Sequence, residues 1–209
     1  MRQDSIQCGE NVIAIDGPAG AGKSTLSRGL AEHLGLERLD TGAMYRAVTA
    51  AALSRGIALN NKSELALIAK DADIEVGDSV WIDGQDVTQI IRSPEVGMAV
   101  SSVAAISEVR SELVTRQRDW ARVRGGGVVE GRDIGSVVFP DARLKVHLTA
   151  SLQARTHRRI EEPAQALKRR DQIDSSREAS PLVVANGAHI IDTTNRSIEE
   201  VLKEVLSYI

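Results

Sequence analysis

Rings are nearly missing from this chain. Aromatic residues make up 2% of it: Trp81, Trp120, Tyr45, Tyr208 and Phe139. A surface that stacks successive bases needs more of them, which argues against a nucleic-acid partner. Cysteine is reduced to Cys8, so no internal disulfide can form and a reducing, cytoplasmic setting is expected. Cys8 sits in a polar stretch and reads as a surface thiol without a role. Neither sign of charge dominates: Lys+Arg 26 against Asp+Glu 29 leaves a net −3. Nothing global therefore points to nucleic acid or an anionic membrane, and any anion site must come from local placement of arginines. No apolar run approaches the length of a bilayer span, and Met1 to Glu10 lacks the apolar centre of a signal peptide. His33, His147, His157 and His189 have no metal-ligand spacing. No apolar stripe asks for a second copy, so a monomer is expected.

What remains is 209 residues, 42% of them hydrophobic, enough for one compact domain with a small insert. Short apolar runs alternate with longer helical stretches, the pattern of an α/β protein. Val12-Ile13-Ala14-Ile15 suits a central parallel strand buried on both faces. Leu26, Leu30, Ala31 and Leu34 form a helix-period stripe that Gly35 closes. A second strand over Glu37 to Leu39 leads to Asp40-Thr41-Gly42, where Thr41 is the expected cap of an alanine-rich helix. A further helix is expected over Ser63 to Ala72. Between residues 73 and 93, turns at Gly77-Asp78 and Asp83-Gly84 separate short apolar segments, predicting a small antiparallel meander. Pro94 to Val123 returns to helix. Strands follow at Val128-Val129, Leu144 to Leu148 and His189 to Asp192, with a basic helical region over Ser151 to Arg170 between the last two. The fold expected is a doubly wound, five-stranded parallel sheet with a small β insert and a helical lid. Residues 1–58 and 105–209 form its core, with the lid around 155–180 and the insert at 59–104.

Gly17-Pro18-Ala19-Gly20-Ala21-Gly22-Lys23-Ser24 fits the phosphate-loop pattern G-x-x-x-x-G-K-[ST], between a buried strand and an amphipathic helix. Its glycines let successive amides face a phosphate, and the helix start adds a positive dipole end. Lys23 should reach the β- and γ-phosphates, and Ser24 should take a place on Mg²⁺. The loop alone names neither nucleotide nor reaction. A GTPase switch needs D-x-x-G, which occurs nowhere here, and Asn61-Lys62-Ser63-Glu64 is a poor base-reading motif that reads as a solvated loop. Asp40 to Arg46 and Glu130-Gly131-Arg132-Asp133 lie at strand ends, as does Asp192, and strand ends form the ligand crevice of open α/β sheets. Arg46 there suits a phosphate, and Glu130 could organise Mg²⁺ through water. The plainer alternatives are a capped helix with a solvent-facing Arg46 and a surface ion pair at 132–133.

Taken together, Ile15 to Ser24, Leu39-Asp40-Thr41-Gly42-Ala43-Met44-Tyr45-Arg46, and Glu130-Gly131-Arg132-Asp133-Ile134-Gly135 continuing through Val137 to Ala142 resemble bacterial cytidylate kinase, in order and over nearly the whole chain. The resemblance implies transfer of the γ-phosphate of ATP to CMP or dCMP. On the donor side it implies the loop residues with Thr25 and, from the lid, Arg158. On the acceptor side, Ser101, Arg110 and Asp133 match the positions that read cytosine. Asp133 would accept from N4, while Arg110 and Ser101 would donate to the acceptor edge. Arg46 and Arg132 match phosphate-binding positions, and Thr41 and Tyr45 stand beside the substrate. Arg170, Asp174 and Arg177 match a lid-side set that touches sugar and phosphates. Lys23, Arg132 and Arg177 would carry the catalytic charge. On periodicity alone, Ser101 and Arg110 are exposed helix positions and residues 170–177 a solvated charge run. The chain departs from the pattern in a short lid between Arg158-Arg159 and Arg169-Arg170, and in Gly97 and Met98 where a more polar helix face is expected. The other readings are a P-loop kinase for UMP, AMP or a sugar acid, and a nucleotide-dependent switch without transfer chemistry.

Overall fold

The computed structural model describes residues 9–159, 163–177 and 180–209. Cys8 lies outside them. Strand β1 (Val12–Asp16) is buried at every residue, as an unbroken apolar run should be in the middle of a parallel sheet. It pairs with β6 (Gly127–Glu130) on one side and β7 (Leu144–Thr149) on the other. Edge strands β2 (Arg38–Asp40) and β8 (His189–Asp192) complete the order β2-β6-β1-β7-β8, all parallel. From β1 the chain crosses to β2 on one side, and from β6 to β7 on the other, so a crevice opens at the carboxyl ends of β1 and β6. The five-stranded parallel sheet expected from the sequence is the sheet observed.

Two apolar cores flank the sheet. On one face, α1 (Lys23–Leu34) and α8 (Ile198–Leu206) pack through Leu26, Leu30, Val201 and Val205. On the other lie α2 (Thr41–Ser54), α3 (Lys62–Asp71), α4 (Pro94–Val103) and α5 (Ser107–Arg124), around Val48, Leu65, Val103, Leu113 and Phe139. Alanines dominate the buried face of α2, which lets it sit close to the strands in a core with few rings. The expected meander is β3 (Ile74–Val76), β4 (Val80–Ile82) and β5 (Gln85–Asp86), an antiparallel sheet turning at Asp83-Gly84.

Several local expectations are corrected. The helix expected from Pro94 to Val123 is two helices, because Ala104 to Ile106 breaks the run and Ser107 starts again. Asp40, not Thr41, caps α2: its carboxylate accepts from the Ala43 amide at 3.1 Å. Asn61 is no solvated loop residue but the cap of α3, accepting from Glu64 N. The basic region after Ser151 divides into α6 (Leu152–Arg158) and α7 (Ala164–Ser176), on either side of Pro163. Among the described residues, no helix is long and apolar enough to cross a membrane.

Candidate active site

The phosphate loop leaves β1 through Gly17, at φ 142°, where an added Cβ would lie 2.3 Å from the Leu148 carbonyl oxygen. Only glycine passes there. Every carbonyl from residue 17 to 21 accepts a hydrogen bond from a side chain. Arg132 Nη1 donates to Gly17 O (2.6 Å), Lys23 Nζ to Pro18 O (2.9 Å), Arg155 Nη1 to Ala19 O (3.2 Å) and Arg158 Nη1 to Gly20 O (3.3 Å). Thr193 Oγ1 donates to Ala21 O at 3.0 Å. With the carbonyls engaged, what the loop offers an anion is its amides and the first turn of α1, which begins directly behind Gly22.

A cavity of about 350 Å³ opens in front of this loop. Its lining brings together Lys23, Ser24 and Thr25 with Thr41, Tyr45 and Arg46, then Ser101, Arg110, Arg132 and Asp133, then Arg158, Arg170, Asp174 and Arg177. Ala19, Gly20, Gly22 and Glu130 also line it, while Gly17, Pro18 and Ala21 shape the loop from behind. Eight basic side chains face this cavity against four acidic ones, in a chain whose net charge is −3. That is the local clustering of arginines that composition could not reveal.

Two buried ion-pair systems organise the side of the cavity facing the phosphate loop. Arg110 pairs with Asp133, both nearly inaccessible, and its guanidinium lies over the Tyr45 ring, 5.5 Å from the centroid. Burial pushes the Asp133 carboxyl above its usual range even with Arg110 beside it. Burial likewise pushes the Tyr45 phenol up to about 12, so it stays protonated. In the second system, Asp174 on α7 accepts from Arg132 Nε at 3.0 Å, from Ser101 Oγ at 3.4 Å and from Arg177. One carboxylate thus holds α7 to α4 and to the end of β6. Arg110 Nε and Arg177 Nε are buried without a hydrogen-bond partner among the described residues. Arg46 donates to Ile91 O at 2.7 Å, tying α2 to the turn after the meander.

These contacts overturn the plainer readings. Ser101 and Arg110 are buried, at 3% and 4% exposure, not exposed helix positions. Residues 170–177 are no solvated run, since Arg170 and Asp174 are buried. Arg132 and Asp133 do not pair with each other. Asp192 is exposed and caps the Thr194 turn instead of lining the cavity; its neighbour Thr193 reaches the phosphate loop. Thr41 turns inward, donating to Glu130 O at 2.8 Å.

Glu130 sits at the floor. Its carboxylate accepts from Ser24 Oγ and Ser27 Oγ, both at 2.8 Å, and from Arg38 at 3.1 Å. Burial, with Asp40 nearby, holds its carboxyl above the usual range. Among the described residues, no cluster of three His, Cys, Asp or Glu could hold a metal by itself. A serine hydroxyl and one carboxylate do fit Mg²⁺, which keeps most of its waters and shares its remaining bonds with substrate phosphates.

Asp16 escapes sequence reading as a site residue. Its two carboxylate oxygens accept from Ile134 N at 2.7 Å and Gly135 N at 2.8 Å, fixing the turn that carries Arg132 and Asp133. A carboxylate closing a fully apolar strand was the available signal. Burial pushes its carboxyl up to about 6. Arg155 and Thr193 left no such signal; only folding brings them to the loop.

A sequence profile described as cytidylate kinase matches residues 13–209. A cytidylate kinase of Caldanaerobacter subterraneus subsp. tengcongensis is 46% identical, covering 92% of each chain. One from Clostridioides difficile is also 46% identical, covering 96% of this chain and 99% of the relative. A Janibacter sugar kinase structure (TM-score 0.54, 15% identity, 95% of this chain and 94% of that one) shares the fold. So does a Sinorhizobium meliloti gluconokinase (TM-score 0.52, 15% identity, 97% and 91%). The phosphate loop, the cation-lined cavity before it and this similarity along the whole chain agree: the protein belongs to the cytidylate kinase family of ATP-dependent nucleoside monophosphate kinases.

Proposed function

We propose that this chain transfers the γ-phosphoryl group of ATP to CMP and dCMP in a Mg²⁺-dependent reaction, as a monomeric cytoplasmic enzyme without nucleic-acid or membrane partners. The observation that carries this reading is the single cavity in which the phosphate loop faces Arg46, Arg132, Arg170 and Arg177 across a short space. Residues 59–104 serve as the acceptor-side insert and 155–180 as the lid.

The acceptor is a phosphate monoester, already anionic near neutral pH, so no general base is required. Catalysis is positioning plus charge neutralisation. Loop amides, Lys23 and Arg158 hold the donor, with Thr25 at the mouth. Arg46, Arg132 and Arg177 hold the acceptor phosphate and spread the charge that develops during transfer. Ser24, and Glu130 through water, would hold Mg²⁺, which supplies Lewis-acid neutralisation of the donor's terminal phosphates. Arg170 and Asp174 reach the sugar side. Asp133 accepts from the cytosine amine, with Arg110 and Ser101 on the base's acceptor edge. Uracil sets a carbonyl oxygen against Asp133 and is the poorer substrate.

Coupled ADP release with CMP, dCMP, UMP, AMP and gluconate tests this directly. Turnover with CMP and dCMP is expected. Asp133→Ala should narrow the CMP-over-UMP preference by about a hundredfold or more, because a buried polar contact is lost. An unchanged preference would remove Asp133 from base recognition, and turnover with gluconate alone would replace the acceptor class.

A further inference from the structure

Arg155, like Arg132, touches both the phosphate loop and α7. It lies on α6, 7% exposed, in contact with the phosphate loop and with α7. Its Nη1 donates to Ala19 O at 3.2 Å and to Asp171 Oδ2 on α7 at 2.6 Å, while its Nε donates to Ala150 O at 3.2 Å. The contact with the loop is close: an added Cβ at Gly20 would lie 3.0 Å from Arg155 Cβ and 3.1 Å from its carbonyl oxygen. Asp171 is the residue after Arg170 and three before Asp174. Its second oxygen, Oδ1, is buried and has no hydrogen-bond partner among the described residues. The carboxylate is therefore committed to one guanidinium, and that guanidinium to the donor loop.

We propose that Arg155 and Asp171 are a positioning pair that locks α7, and with it the acceptor-gripping Arg170, Asp174 and Arg177, to the donor loop. The proposal rests on the reading that α7 grips the acceptor. A planar fork is needed for three acceptors in fixed directions, which a lysine ammonium cannot supply. Neither residue touches a reacting atom. Their effect is to keep donor and acceptor in register, where a small displacement costs much of the rate. Because one guanidinium holds both Ala19 O and Asp171, occupancy of the loop and the placement of α7 are coupled through it.

Asp171→Asn retains size and leaves the buried neighbours in place. The expected result is a kcat lower by tenfold or more, with KM for ATP and for CMP each within about threefold. The factor by which a non-hydrolysable ATP analogue tightens CMP binding, measured by calorimetry, should fall towards one. Asp171→Glu should recover part of the loss. Arg155→Met combined with Asp171→Asn should lose no more than Arg155→Met alone, because the two residues act as a unit. Thermal unfolding of Asp171→Asn should stay within a few degrees of the parent. The proposal is overturned by a kcat within twofold and an unchanged analogue effect, or by losses that simply add in the double variant. CMP-dependent turnover by the parent enzyme keeps the two readings apart. With it present, silence at Asp171 removes only the positioning pair; without it, both fall.

Discussion

Lys23 and Gly17 show how single residues shape the phosphate loop. Lys23 lies half-buried against Pro18 O, and desolvation together with Arg132 pushes its ammonium to about 7. Lys23→Ala should lower kcat by about two to three orders of magnitude with little change in melting temperature. Gly17→Ala acts differently. Its Cβ would collide with the Leu148 carbonyl in a backbone region that L residues rarely adopt. The loop must shift, so KM for ATP should rise at least tenfold and unfolding should come earlier, by steady-state kinetics and thermal melts. Equal melting temperatures for Gly17→Ala and the parent would mean that the loop yields freely.

At the scale of elements, stability and chemistry separate across the sheet. Helix α8 starts with a reciprocal cap: Ser197 accepts from Glu200 N at 3.3 Å, while the Glu200 carboxylate accepts from Ser197 N at 2.9 Å. Ser197→Ala should cost about 1 kcal/mol in urea unfolding. Since α8 packs on α1 away from the cavity, kcat and both KM values should stay unchanged. The opposite holds for α7, where Asp174 joins three elements through Ser101, Arg132 and Arg177. The boundaries misread from sequence lie where local chemistry was ambiguous. Asp40 and Thr41 are both good caps, and only the pull of Glu130 O on the threonine hydroxyl decides between them.

Across the whole molecule, a net-acidic chain presents a cation-lined cavity to polyanionic ligands. A consequence is measurable in protons. Below the ordinary lysine range but above about 7, folded Lys23 is largely neutral while an unfolded chain holds the proton. Stability of the ligand-free protein should therefore rise with pH through that window as Lys23's penalty fades. Bound polyphosphate favours the ammonium, so ATP binding near pH 8 should take up a proton. Calorimetry in buffers of different ionisation enthalpy reads this uptake directly. Its persistence in Lys23→Met would assign the proton to another group.

Sequence alone determined the elements whose signals are local: the apolar run of β1, the glycine loop with its lysine, the turns of the meander, and the order of strand and helix that implies a parallel sheet. It also carried the resemblance that named Ser101, Arg110 and the 170–177 set, which periodicity would have left on the surface. Only the tertiary structure decided what those residues face. The burial of Arg110 against Asp133, the grip of Asp174 on three neighbours and the reach of Arg155 from α6 to Ala19 join residues between 3 and 136 positions apart. A hydrogen bond or ion pair between distant positions leaves no period in a sequence, because its partners are chosen by packing and not by the local backbone.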